Sequence, residues 1–140
     1  MSWDSYIDNL VAHSQDGTGS AHVDKACIIG LDGGAAWTTQ GHACSFKLNP
    51  TECANIARAF KNKDFTTFQA NGVHCEGVKY QFLRVDTDGM VLAKKKDCGA
   101  VSLGASKSAI VIAHTKEGQQ QGNSNKAVMV IVEYLKGMNM

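Results

Sequence analysis

"VKYQFLRVDTDGMVLAKK" (78–95) is the stretch on which the fold class turns. "VKYQFLRV" (78–85) is rich in Val, Tyr and Phe, side chains that suit a pleated, half-buried surface. The turn residues "DTDG" (86–89) follow, and "MVLAKK" (90–95) begins directly after them. Two strands joined this closely run antiparallel, because a parallel pair needs a crossover of a dozen residues or more. "SAIVIAH" (108–114), closed by Lys116-Glu117-Gly118, reads as a further strand. From Phe65 to His114 the chain therefore reads as short strands and turns, an antiparallel meander.

Toward the amino terminus, "ACIIGL" (26–31), Asp32-Gly33-Gly34 and "AAWTT" (35–39) read as a hairpin with Trp37 on its second strand. "NPTECANIARAFK" (49–61) carries helix signals: Asn49 as N-cap, Pro50 at the first helical position and Glu52 in the capping-box position. Cys53, Ile56, Ala57 and Phe60 form its apolar stripe. "SQDGTGSAH" (14–22) is a polar connector. In "SWDSYIDNL" (2–10), Ser2 can cap a helix beginning at Trp3, with Asp4 near the positive end of the dipole. Helical spacing fans Trp3, Tyr6, Ile7, Leu10 and Val11 across one arc, its aromatic edge apart from its aliphatic edge. "NKAVMVIVEYLK" (125–136) is ambiguous: β-branched residues favour a strand, while its length, Glu133, Lys136 and the Gly137 stop lean toward a helix. The sum is an α/β (α+β) domain spanning 1–140, a mostly antiparallel sheet with helices near both ends.

Composition narrows the function. A chain of 140 residues buries roughly two thirds of its unfolded surface and needs no staples. With 44% hydrophobic and 19% charged residues it has a globular balance, and a net charge of +1 excludes a broadly basic nucleic-acid binder. Cys27, Cys44, Cys53, Cys75 and Cys98 are dispersed and odd in number, the pattern of reduced intracellular thiols. "MSWDSY" (1–6) lacks a basic region followed by an apolar one, and "AVMVIV" (127–132) is too short to span a bilayer. The expectation is a soluble, cytoplasmic protein.

Catalytic signals fail one by one. "GAVSLGAS" (99–106) has phosphate-loop spacing but lacks the lysine that mechanism requires. His42 with Cys44, and His74 with Cys75, have no second half to complete a metal site, so we expect no metal, no cofactor and no catalytic residues. A cysteine hydrolase would need a third group to orient its base, and none is evident. Binding remains. Lys79, Arg84, Lys94, Lys95 and Lys96 fall on neighbouring strands and could gather as one patch, or serve as lysines guarding a sheet edge. Trp3, Tyr6, Trp37 and Tyr134 would form a shallow aromatic trough if the terminal segments lay side by side as helices. The competing reading is that these rings only staple the termini to the core.

Ser2-Trp3-Asp4-Ser5-Tyr6-Ile7-Asp8 resembles the amino-terminal signature of the profilin family. "ACIIGLDGGAAWTT" resembles its first hairpin, "NPTECANIARAF" its internal helix, "KYQFLR" and "AKKK" its middle strands, and "IVIAHTKEG", "SNK" and "EYLKG" its carboxyl-terminal strand and helix. The likeness covers nearly the whole chain in order. It implies terminal helices packed together on one face of the sheet, with smaller helices on the other, and makes the last segment a helix. It also implies a poly-L-proline site at Trp3, Tyr6, Asn9, Trp37 and Tyr134. Met140 stands where the family often ends in an aromatic residue. For monomeric actin the resemblance points to Lys79, Arg84, Lys94, Lys96, Gly118, Gln119, Gln120, Gly122, Asn125, Lys126 and Met129. For phosphatidylinositol bisphosphate at membrane surfaces it points to Arg84, Lys94, Lys95, Lys96 and Lys136. The implied role is control of actin polymerisation and nucleotide exchange, with recruitment of proline-rich proteins, in the cytoplasm and cytoskeleton. The alternative is an α/β adaptor or ligand-sensing domain that binds no actin and buries Trp3 and Trp37.

Overall fold

The computed structural model describes residues 4–15, 17, 19, 21–31, 34–38, 45–85, 89–119 and 121–140. In chain order the elements are α1 (Asp4–His13), β1 (Val23–Gly30), α2 (Pro50–Asn62), α3 (Thr66–Asn71), β2 (Val73–Cys75), β3 (Val78–Val85), β4 (Val91–Lys95), β5 (Gly99–Ala105), β6 (Ala109–Thr115) and α4 (Gln121–Gly137). The strands form one six-stranded sheet in the order β1-β6-β5-β4-β3-β2, every neighbouring pair antiparallel. The meander read from "VKYQFLRVDTDGMVLAKK" is thus the body of the sheet, while Asp86–Asp88 of its turn lie outside the described residues.

Each face of the sheet carries its own apolar layer, because side chains alternate along a strand. Ile110 and Ile112 of β6 face one way, with Ile56 and Phe60 of α2 and Phe68 of α3. Ala109, Val111 and Ala113 face the other way, with Ile7 and Leu10 of α1 and Val128, Ile131, Val132 and Leu135 of α4. Those last four recur at helical spacing, so the β-branched run buries its stripe more completely as a helix than a half-exposed strand would. Small residues on the sheet let α4 approach closely. A side chain at Gly104 would come within 3.1 Å of Val128 and Val132.

Asn49 and Glu52 close a full capping box on α2, as expected. Glu52, nearly buried, does more: its carboxylate also accepts from the backbone N–H groups of Glu76 and Gly77 in the β2–β3 turn. Glu76 in turn accepts from the Lys25 ammonium and the Lys47 backbone, tying β1 to the same corner.

Two expectations change. Trp37 is on no strand. The return leg of the first hairpin is a single bridge, Ala36 to Ile29, with hydrogen bonds from Gly30 to Ala35 and from Trp37 to Ile28. The free edge of β1 is shared, since Phe46 donates to the Ala26 carbonyl lower down, and among the described residues neither segment builds a ladder. Asp32 and Gly33 lie outside the described residues. Within the stretch read as strands and turns, Thr66–Asn71 is a short helix, whose first turn is held by Asp64 accepting from the Thr66 amide and hydroxyl. "GAVSLGAS" is the buried strand β5, between β4 and β6.

Candidate functional site

Helix α1 lies beside α4, and between them is a shallow cavity of about 280 Å³ lined by Tyr6, Asn9, His13, Val130, Ile131 and Tyr134. Ile7 and Leu10 anchor α1 to the sheet, which turns Tyr6 and Asn9 of the adjoining arc toward α4. The Tyr6 and Tyr134 rings sit 5.9 Å apart at 49°. Tyr6 forms the floor at 6% exposure, whereas Tyr134 at 50% and Val130 at 39% form an open wall. Burial, and after it the neighbouring Tyr134, pushes the Tyr6 phenol up, so it stays a neutral hydroxyl able to donate. Trp37 packs half-buried on the same apolar layer, and Gly30 leaves the room its indole occupies. Met140 also packs there, its carbonyl accepting from the Ser108 amide and hydroxyl and the Ser106 hydroxyl. Trp3 and its cap Ser2 lie outside the described residues.

A second surface opens on the same side of the sheet, over the strands that α1 and α4 leave uncovered. Register pairs Gln81 with Lys94 and Arg84 with Leu92, and Leu92 belongs to the helix-side layer. Cross-strand partners share a face, so Arg84 and Lys94 emerge beside α4. A bulge between Phe82 and Arg84 carries Arg84 onto this face. The start of α4 is fastened nearby: the Gln121 amide donates to the Val101 carbonyl, and Asn125 accepts from the Ser102 hydroxyl. Lys94, Gly118, Gln119 and Gln121 line a common cavity of about 290 Å³ with Lys116 and Glu117. Gln120 lies outside the described residues.

The structure brings Tyr6, Asn9 and Tyr134 together, and separately Arg84, Lys94, Gly118, Gln119 and the exposed first turns of α4 bearing Gly122, Asn125 and Lys126. Lys79 is exposed on β3, beside α3, and Lys96 sits in the β4–β5 turn. Met129 is half-buried against the helix-side layer. Lys95 alternates to the opposite face from Lys94. Lys136 pairs loosely with Glu133 and lies roughly 22 Å farther along α4 than Gln121, at 1.5 Å per residue. His13 and Val130 were missed in the trough, and Gln121 and Lys116 on the sheet face. The first two needed the docking of α1 on α4, which no local pattern carries.

Among the described residues no group of three His, Cys, Asp or Glu side chains could hold a metal ion. Cys27, Cys53 and Cys75 are buried with their thiols pushed up by desolvation, the opposite of an activated nucleophile. His74 is exposed while Cys75 faces the core; His42 and Cys44 lie outside the described residues.

Paired terminal helices over one face of a six-stranded antiparallel sheet, and two further helices on the other, define the class: a small α/β protein whose two candidate surfaces lie on the helix-pair side. The Profilin family model matches residues 1–140. The profilin of Clypeaster japonicus is 66% identical over 140 residues, covering all of both chains. Two solved structures are similar across their whole length. Acanthamoeba castellanii profilin II has a TM-score of 0.78 at 32% identity, over 99% of this chain and 100% of that one. Mouse profilin IIa, in complex with a double repeat from the FH1 domain of mDia1, has a TM-score of 0.73 at 26% identity over 100% of both. The chain belongs to the profilin family, a family of actin-binding proteins.

Proposed function

We propose that this protein binds monomeric actin through the sheet face and proline-rich segments through the trough, and has no enzymatic step. Family membership over the whole chain carries the reading. The mouse relative bound to an FH1 repeat supports the proline-rich half. A polyproline II helix is ordered before binding and presents ring faces and carbonyls. Tyr134 and Val130 offer apolar wall, and the phenols offer donors. Trp37 extends the aromatic surface, family membership assigns Trp3 to the same site, and Met140 supplies a polarisable thioether.

On the sheet face, Lys79, Arg84, Lys94 and Lys96 steer and hold an acidic partner surface, while Gly118, Gln119, Gly122, Asn125, Lys126 and Met129 form its second wall. Actin's nucleotide exchange is promoted if this face fits an opened actin better than a closed one, since only differential affinity shifts such an equilibrium. Phosphoinositide headgroups would compete for Arg84, Lys94, Lys95 and Lys96, with Lys136 standing apart along α4. The protein acts in the cytoplasm at the cytoskeleton; among the described residues no helix is long and apolar enough to cross a membrane. Release of a fluorescent ATP analogue from monomeric actin tests the actin half. Faster release supports it, and absence of both acceleration and binding would remove it. A proline decamer titrated against the intrinsic fluorescence tests the trough.

A further inference from the structure

His114 of β6 has partners on both ring nitrogens: Asp24 of β1 lies 2.5 Å from Nδ1 and the Cys98 carbonyl 2.6 Å from Nε2. An aspartate carboxylate and a peptide carbonyl both accept. The ring satisfies both only when each nitrogen carries a proton, as imidazolium. The site is tight. Phe46 and Tyr80 flank the ring at 5.6 and 6.0 Å. Gly99, next to Cys98, has φ +86, and a side chain there would collide with the Thr115 carbonyl and approach His114 Nε2 to 3.0 Å. The Gly99 amide donates to Glu117 at the other end of the same crossing. Two charged side chains, from β6 and from the loop after it, thus grip the β4–β5 turn that carries Lys96 and follows Lys94.

We infer that His114 is a positioning residue: as imidazolium it fixes the β4–β5 turn for actin, and its deprotonation loosens that turn and weakens actin binding. The inference rests on the actin reading above. The titratable and charged groups facing the ring are Asp24 and Lys25 from β1, Tyr80 from β3 and Cys98 from the turn, with Glu117 reaching the turn through Gly99. Burial opposes the charged ring, and Lys25 adds to that. The hydrogen bonds to Asp24 and Cys98 and the charge of Asp24 outweigh both, so the ring titrates above its ordinary 6.5. The clamp is therefore complete below that ordinary value and lost as pH rises through the raised one.

The test follows the imidazole signals and the amide exchange of Cys98 and Gly99 in the labelled full chain, from about pH 6 to about pH 8.5, alongside actin affinity. Two ring protons at the acid end, and turn amides that lose protection as one leaves, are expected. Actin affinity should fall by about three- to tenfold over the same interval. His114→Gln, which can still reach Cys98 but cannot titrate, should show actin binding without that fall. Asp24→Asn, which keeps the ring, should move the transition to lower pH. A ring with a single proton throughout, turn amides indifferent to it, or parallel pH profiles in wild type and His114→Gln would each overturn the inference. Absence of actin binding at every pH, with the turn still following the ring, would sink the actin reading while upholding the clamp.

Discussion

The trough and the sheet face lie on the same side of one sheet, yet they are held by different physics. The trough is made where two amphipathic helices meet, and its depth is set by how closely α1 and α4 settle on small sheet residues such as Gly104 and Ala113. The sheet face is made by strand register, a bulge and hydrogen bonds from α4 to strand carbonyls. The first tolerates polar change at its rim and is vulnerable to loss of apolar volume beneath it. The second tolerates loss of volume and is vulnerable to charge and register. They share α4, and through that helix a change at one can reach the other.

Removing the foundation of the trough should give the largest effect. Leu10→Ala takes a fully buried side chain from beneath α1 and should destabilise the protein by about 2–5 kcal/mol, read by denaturant unfolding. If the comparison holds, proline-peptide affinity falls further than actin affinity at a temperature where the variant is folded. Tyr134→Ala removes the open wall while sparing the core. It should cost about 2 kcal/mol of proline-peptide binding, roughly thirtyfold, with actin binding unchanged. Trp3→Ala should act in the same direction. Equal loss on both surfaces would mean these rings are chiefly staples. Arg84→Glu reverses the pattern, with actin binding weaker by about tenfold, more so at low salt, and the trough unaffected. The smallest effect is a control on the far face. Asn49→Ala breaks the capping box of α2 and should cost about 1 kcal/mol of stability, with neither affinity altered in the folded protein.

Local chemistry made much of this legible. The capping box at Asn49 and Glu52 and the strand Val78–Val85 depend on neighbours in sequence, and both stand where they were read. The ambiguity at "NKAVMVIVEYLK" arose because β-branched residues pull toward strand, and only the apolar layer on the sheet decides for the helical stripe. Strand β5 was hidden because Gly, Ala and Ser are poor strand formers, chosen for closeness to α4. Its identity comes from being enclosed by β4 and β6. The return leg bearing Trp37 failed for a related reason: two segments compete for one edge of β1. In the trough, Tyr6 and Tyr134 were visible as aromatics at helix positions, but His13 and Val130 are ordinary residues made significant by helix docking. The face around Lys94 was visible as charge, yet the split between Lys94 and Lys95 follows only from register.

The strand order carries a further consequence for how the chain reaches its native state. Five strands, β2 through β6, are consecutive in sequence and adjacent in space, so each can zip onto the last through a short local closure. β1 alone must find a partner across the whole stretch between Gly30 and Ala109. The entropy of closing that span delays its pairing with β6. Pulse-labelled exchange during refolding should therefore protect the Leu92 and Val101 amides before those of Cys27 and Ile29. The corner joined by Glu52, Glu76 and Lys25, together with the contact from His114 to Asp24, would then form among the last, as the rivets that fasten a late-arriving edge.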